Sequence, residues 1–222
     1  MTTDIPHENP DAPTRLVMTR DELANALTHG LGFVLSLVAW GYFWSVTQES
    51  PVGLRVCCLI FTTSMATVYL FSTLSHAVCD LESRRRMRAW DQGTIYLLIA
   101  GTFSPFVWQG SPPGWTGVIM AGIWIAAGWG FYLKVFASYR LDTASTVTYV
   151  LLGWLPTIPL LARTPTFCIT WMMLGGVSYT LGILFLINSH RVWFAHSLWH
   201  LAVILGSLCH CIAINRLVTL AS

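Results

Sequence analysis

RVWFAHSLWHLAVILGSLCH, residues 191–210, carries His196 and His200 four positions apart. On a helix they are separated by about 400° around the axis and roughly 6 Å along it, so both imidazoles share one face. That is the geometry of a metal-chelating pair. From Val192 to Asn215 there is no Lys, Arg, Asp or Glu, and a helix needs about 20 apolar residues to cross a bilayer. Ionisable side chains inside such a segment are costly to desolvate and read first as a functional site.

The rest of the chain points to the same solvent. Of its 222 residues, 55% are hydrophobic and 10% charged, and the mean hydropathy is +0.61, too apolar for a soluble surface. Charge-free apolar runs fall near residues 26–47, 56–78, 91–109, 115–135, 144–161, 166–187 and 193–215. The third and fourth are divided at Gly110-Ser-Pro-Pro-Gly114, where paired prolines between glycines make a turn. The expected fold is an all-α membrane protein, a seven-transmembrane helix bundle. Residues 1–19 are polar and Pro-containing, without the apolar core of a signal peptide, and read as a disordered cytoplasmic tail ahead of a membrane domain over 20–222.

The charges set the orientation. With the N-terminus cytoplasmic, Arg15, Arg20, Arg84, Arg85, Arg86, Arg88, Lys134, Arg140 and Arg191 lie inside, nine of the twelve Lys and Arg residues, against Arg55, Arg163 and Arg216 outside. The positive-inside rule therefore places the N-terminus in the cytoplasm and the C-terminus outside. The run Arg84-Arg-Arg-Met-Arg88 reads as a topology anchor near anionic headgroups. A formal charge of +2 without a basic, aromatic-interleaved stretch gives no reason to expect a nucleic-acid partner. Six cysteines in or beside apolar runs, with no C-x-x-C, read as buried thiols.

Other polar residues gather at one leaflet in this topology. Thr19-Arg-Asp-Glu22 is a capping box opening the first helix. Glu22, Asn25 and His29 then follow at i, i+3 and i+7 on one face. Ser72 and His76 share a face at the end of the second span, and Asp91 sits at the start of the third. Individually each has a plainer reading: Glu22 as a cap, His29 as an interfacial residue, Asp91 as a helix N-terminal acid facing the dipole. Together with His196 and His200 they fall at the cytoplasmic ends of four spans. Three neutral imidazoles, His76, His196 and His200, suit tetrahedral zinc with the fourth position left to water, whose pKa would fall toward about 7. Asp91 is then the candidate general base and Ser72 the candidate donor to a developing oxyanion. Glu22, Asn25 and His29 would hold the ligands in orientation.

His210 lies ten residues past His200, roughly 15 Å further along the helix, and is left out as a ligand. His190, in a loop, and His7, in the tail, read as solvated. The eleven tryptophans read as interfacial anchors, and Gly122 to Gly130 and Gly175-Gly176 as faces for close helix packing. Pro105, Pro156 and Pro159 are expected to kink or end helices.

Glu22-x₂-Asn25-x₃-His29, Ser72-x₃-His76, Asp91 and His196-x₃-His200 together resemble the signature motifs of the hemolysin III family, the bacterial branch of the progestin and adipoQ receptor superfamily that includes the adiponectin receptors. The segments Ile95 to Phe106 and Trp199 to Ser207 are similar to that branch as well, and the resemblance runs from about Arg20 to the C-terminus. It implies a seven-span protein of the bacterial inner membrane with zinc on His76, His196 and His200 and with Ser72 and Asp91 beside the metal. Kinship with alkaline ceramidases implies hydrolysis of a lipid amide or ester, in the service of membrane lipid homeostasis. One departure is Gln92, where bacterial members often carry His after the Asp.

A zinc-dependent hydrolase acting on a membrane lipid is the preferred expectation. The alternatives are a non-catalytic sensor or receptor braced by structural zinc, and a pore-forming cytolysin, although the sequence has no obvious polar stripe to line a pore.

Overall fold

The computed structural model describes residues 16–137 and 142–221. His7, Arg15 and Arg140 and most of the expected tail lie outside these residues. Within them the chain is helical: α1 (Arg20–Val46), α2 (Val52–Ala77), α3 (Leu81–Gly110), α4 (Thr116–Val135), α5 (Asp142–Trp154) continued by a 3₁₀ turn (Leu155–Leu160), α6 (Thr166–Ile187) and α7 (Ala195–Ala221). Five of these, α1, α2, α4, α6 and α7, are long and apolar enough to cross a membrane.

Local chemistry sets the boundaries. Thr19 caps α1 in extended backbone, its Oγ1 accepting the Glu22 N–H at 3.2 Å. The reciprocal half of the expected capping box is missing, because the Glu22 carboxylate is engaged elsewhere. Asp80 caps α3 by accepting the Ser83 N–H at 2.8 Å. The arginine run, which precedes the apolar stretch, therefore lies in the first turns of α3, which hydropathy alone hides. Pro51 and Pro165 stand immediately before α2 and α6. Pro105 does not end α3, whereas Pro156 and Pro159 occupy the 3₁₀ turn that closes α5. Gly114, at φ +79°, makes the turn into α4.

In chain order α1 packs on α2, α2 on α3, α3 on α4 and α6 on α7, while α7 closes back onto α1. The apolar windows of α2 and α7 are 50% buried, against 17% for α6. Leucines and valines of α1, among them Leu27, Leu31, Val34 and Val38, face outward, as a lipid-facing surface requires. Phe43, Leu54, Phe61, Tyr69, Phe106 and Ile214 fill the core.

Single hydrogen bonds tie helix to helix. Tyr42 donates to Asn215 Oδ1 at 2.9 Å, Tyr69 to Ser207 Oγ at 2.8 Å, Trp124 to Ser104 Oγ at 3.1 Å, Trp154 to Thr180 Oγ1 at 3.1 Å and Ser178 to the Ala202 carbonyl at 2.8 Å. Such bonds act between helices where apolar contact alone distinguishes poorly between protein and lipid. Of the expected glycine faces, Gly175 and Gly130 lie tight against the His210 and Tyr96 rings, while Gly122 and Gly128 meet nothing within 4 Å.

Candidate metal centre

The last turn of α2 delivers His76 and the first turns of α7 deliver His196 and His200. One ligand atom from each lies within 4.8 Å of the others. The ring centroids are 4.9 Å apart for His76 and His196, 5.2 Å for His76 and His200, and 4.6 Å for His196 and His200. Two of the rings are held from behind. His76 Nδ1 is 2.6 Å from Glu22 Oε2, and its Nε2 is buried without a hydrogen-bond partner among the described residues. His200 Nδ1 is 3.2 Å from the Asn25 carbonyl and 3.0 Å from Thr28 Oγ1.

The Thr28 hydroxyl proton is directed to the Ala24 and Asn25 carbonyls, at 2.9 and 3.0 Å. Toward His200 it is therefore an acceptor, and His200 carries its proton on Nδ1 with Nε2 left free. A carboxylate or carbonyl accepting the outer N–H is the usual support of a ligating imidazole. Converging nitrogens, an orphaned buried Nε2 and fixed tautomers fit a divalent cation, and the three histidines can hold one.

Glu22 joins α1, α2 and α3. Besides His76 it pairs with Arg84 Nη2 and, at 3.7 Å, with Arg88 Nη2. Arg84 is buried, and its Nε donates to the Ser75 carbonyl at 3.0 Å. The reading of the arginine run as a membrane anchor is thus corrected at Arg84, whose guanidinium points inward. Asn25 reaches α7 twice, by its backbone carbonyl to His200 and by Oδ1, which accepts from the Ser197 hydroxyl at 2.6 Å. His29 differs from expectation. It makes no hydrogen bond to a ligand but stacks on His200, with centroids 3.5 Å apart and planes at 14°, and meets Tyr69 edge-on.

Asp91, from α3, faces the cluster with Ser75 Oγ 3.3 Å from its Oδ2, and Ser72 is buried beside it. Asp91 also stands where two spaces meet. One is a cavity of about 300 Å³ inside the helix bundle, lined by His29, Ser72, Asp91, His196 and His200 at one end and by Phe103, Met172 and His210 toward the other. The second is a space of about 440 Å³ with a polar lining that includes Asp21, Glu22, Arg88, Ser189 and His190. Asp91, Gln92, Leu186 and His196 border both. Gln92 itself accepts from Lys134 Nζ at 3.1 Å.

Sequence reasoning missed Thr28, Ser75, Arg84 and Ser197. Arg84 had a detectable signal: Arg84, Arg88 and Asp91 fall at i, i+4 and i+7, one face of a helix that has already begun. Thr28 and Ser75 are small hydroxyls of a kind common in apolar helices, and nothing in their spacing sets them apart.

Residues 18–211 match the family model described as Haemolysin-III related. Hemolysin-3 of Bacillus cereus is 35% identical over 85% of this chain and 87% of its own length. The Hemolysin-3 homolog of Bacillus subtilis (strain 168) is 33% identical over 85% of this chain and 90% of its own. The human monocyte to macrophage differentiation factor is 22% identical over 87% and 83%. No solved structure gives a significant match.

Proposed function

The chain belongs to the Haemolysin-III related family and is an integral membrane protein, and from that premise we propose that it is a zinc-dependent hydrolase of a membrane lipid amide or ester. In this reading all seven helices span a bacterial inner membrane, residues 20–222 form the membrane domain, and the N-terminus is cytoplasmic. His76, His196 and His200 hold the metal near the inner face. The observation that carries the proposal is the place of the histidine cluster and Asp91, at the junction between a largely apolar cavity inside the bundle and a polar one outside it. An acyl chain is accommodated on one side and water arrives on the other.

Zinc on three imidazoles supplies Lewis acidity and lowers the pKa of a water toward about 7. The chain's own residues do the rest. Asp91 takes the proton of the attacking water on a carboxylate oxygen as the water oxygen bonds to the acyl carbon. Ser72 donates to the oxygen on which negative charge develops. When the C–N or C–O bond breaks, Asp91 returns the proton to the leaving amine or alcohol. Ser75 fixes the rotamer of the carboxylate, and Glu22, with Asn25 and Thr28, fixes the imidazoles.

The test is turnover of ceramides and related lipid amides by purified protein, wild type beside Asp91→Asn and Ser72→Ala. The expected result is retained zinc with activity reduced by about 10²–10⁴ for Asp91→Asn. Equal turnover in both variants would contradict the assignment. A second reading, a sensor braced by structural zinc, is favoured by one observation: Glu22, Asn25, Arg84 and the histidines link α1, α2, α3 and α7 through buried polar contacts. That reading expects metal removal to lower stability with no product formed from any lipid.

A further inference from the structure

The far end of the cavity holds a side chain that the proposed chemistry does not use. His210 lies ten residues past His200 on α7, roughly 15 Å along the helix. It is 5% exposed, lines the same cavity, and its Nδ1 has no hydrogen-bond partner among the described residues. The fold makes room for it: a Cβ on Gly175 would stand 2.6 Å from His210 Nε2, so any larger residue there would collide with the ring. Tyr179 and Phe106 wall it at centroid distances of 5.4 and 6.5 Å. Nearby hydroxyls are committed to one another. Tyr69 donates to Ser207 Oγ at 2.8 Å, and the Tyr179 hydroxyl lies 2.9 Å from the same oxygen.

A ring nitrogen kept in an apolar interior without a hydrogen-bond partner is destabilising, and it becomes favourable when something entering the cavity bonds to it. We infer that His210 is a second polar subsite, which hydrogen-bonds an oxygen near the far end of an amphiphilic chain whose head lies at the histidine cluster. The ligand class is then an amphiphile oxygenated at both ends, such as an ω-hydroxylated acyl chain. An extended chain advances about 3.6 Å for every three bonds, so roughly twelve bonds bridge the two subsites. The inference rests on the lipid reading of the cavity and not on hydrolysis.

The experiment is competition of dodecanoic acid and its ω-hydroxylated counterpart against a fluorescent fatty acid on the purified full chain, comparing wild type with His210→Leu and His210→Gln. Wild type is expected to bind the hydroxylated acid about tenfold more tightly, the effect of one additional buried hydrogen bond. His210→Leu is expected to abolish that preference and His210→Gln to keep part of it. No preference in the wild type, or a preference that survives in His210→Leu, would overturn the inference. Where His210→Leu does not fold, His210→Gln carries the test: a reduced preference supports the subsite and a preference equal to wild type overturns it. Failure to bind either acid would contradict the lipid cavity itself, and absence of turnover on every lipid tested would remove the hydrolase while leaving the binding result intact.

Discussion

Glu22 holds the metal centre together at the scale of single residues, because one carboxylate receives His76, Arg84 and Arg88. Removing its charge releases the His76 ring and leaves the buried Arg84 guanidinium without its counter-ion. Glu22→Gln is therefore expected to weaken zinc binding by about 10- to 100-fold, read by titration against a chromogenic chelator. Asp91→Asn should leave that affinity near wild type, since Asp91 is not among the three clustered ligands. Unchanged affinity in Glu22→Gln would show that the carboxylate does not support the His76 ligand. The histidines could be picked out in the sequence because two imidazoles one helical turn apart are costly to desolvate inside an apolar run, and a bound metal offsets that cost. Arg84 could not be separated from its neighbours by composition, since a run of arginines is also what a membrane boundary needs. His29 shows the limit of helix phase: spacing put it on the correct face, but only the packing of α7 decides that it stacks on His200 and leaves its ring nitrogens without a hydrogen-bond partner among the described residues.

The approach to α7 matters most among the elements. Phe194, just before the helix, adopts φ +58°, a left-handed conformation that costs a non-glycine residue about 1–2 kcal/mol, and its N–H donates to Asp21 Oδ1 at 3.1 Å. This turn sets the direction in which His196 and His200 leave the loop. Phe194→Gly is expected to relieve the strain and raise Tm by roughly 2–4 °C, in a thermal melt of the detergent-solubilised protein. A lowered Tm would mean that the Phe194 ring contributes more than its backbone costs. Gly182 gives the opposite case, since a Cβ there would come within 2.8 Å of Trp199 and Ala202 on α7. Gly182→Val should cost about 1–3 kcal/mol by overpacking the α6–α7 contact, and, through Trp199, should also disturb His200. Each of the seven helices overlaps an apolar run of the sequence, and the five that are long and apolar enough to cross a membrane stand out most plainly, because burial in lipid demands continuous hydrophobicity. The helix ends were less legible: α3 starts at Leu81 because charged residues continue a helix beyond the apolar run, and α5 passes into a 3₁₀ turn where Pro156 and Pro159 remove backbone donors.

For the whole molecule, the proposed topology places the metal centre at the cytoplasmic ends of α1, α2, α3 and α7 and the C-terminus on the outer side. Alkaline phosphatase fused after the C-terminus is expected to be active, and inactivity there with activity at the N-terminus would reverse the orientation. Because a ligand that binds only the folded state stabilises it by about 2.7 kcal/mol at a hundredfold excess over Kd, chelation should lower Tm, and added zinc should restore it. The sequence carried the arrangement this far because charge asymmetry and polar clustering agree in the proposed topology; the cavity linking the histidine cluster to His210 was invisible, since it depends on how the helices pack. The central claim, that distant helices converge on one zinc ion, is tested most directly by elemental analysis of purified wild type beside His76→Ala and His196→Ala. One zinc per chain, lost in both variants, is the predicted result. A wild type purified without metal from zinc-supplemented cells, or variants that keep their zinc, would contradict it.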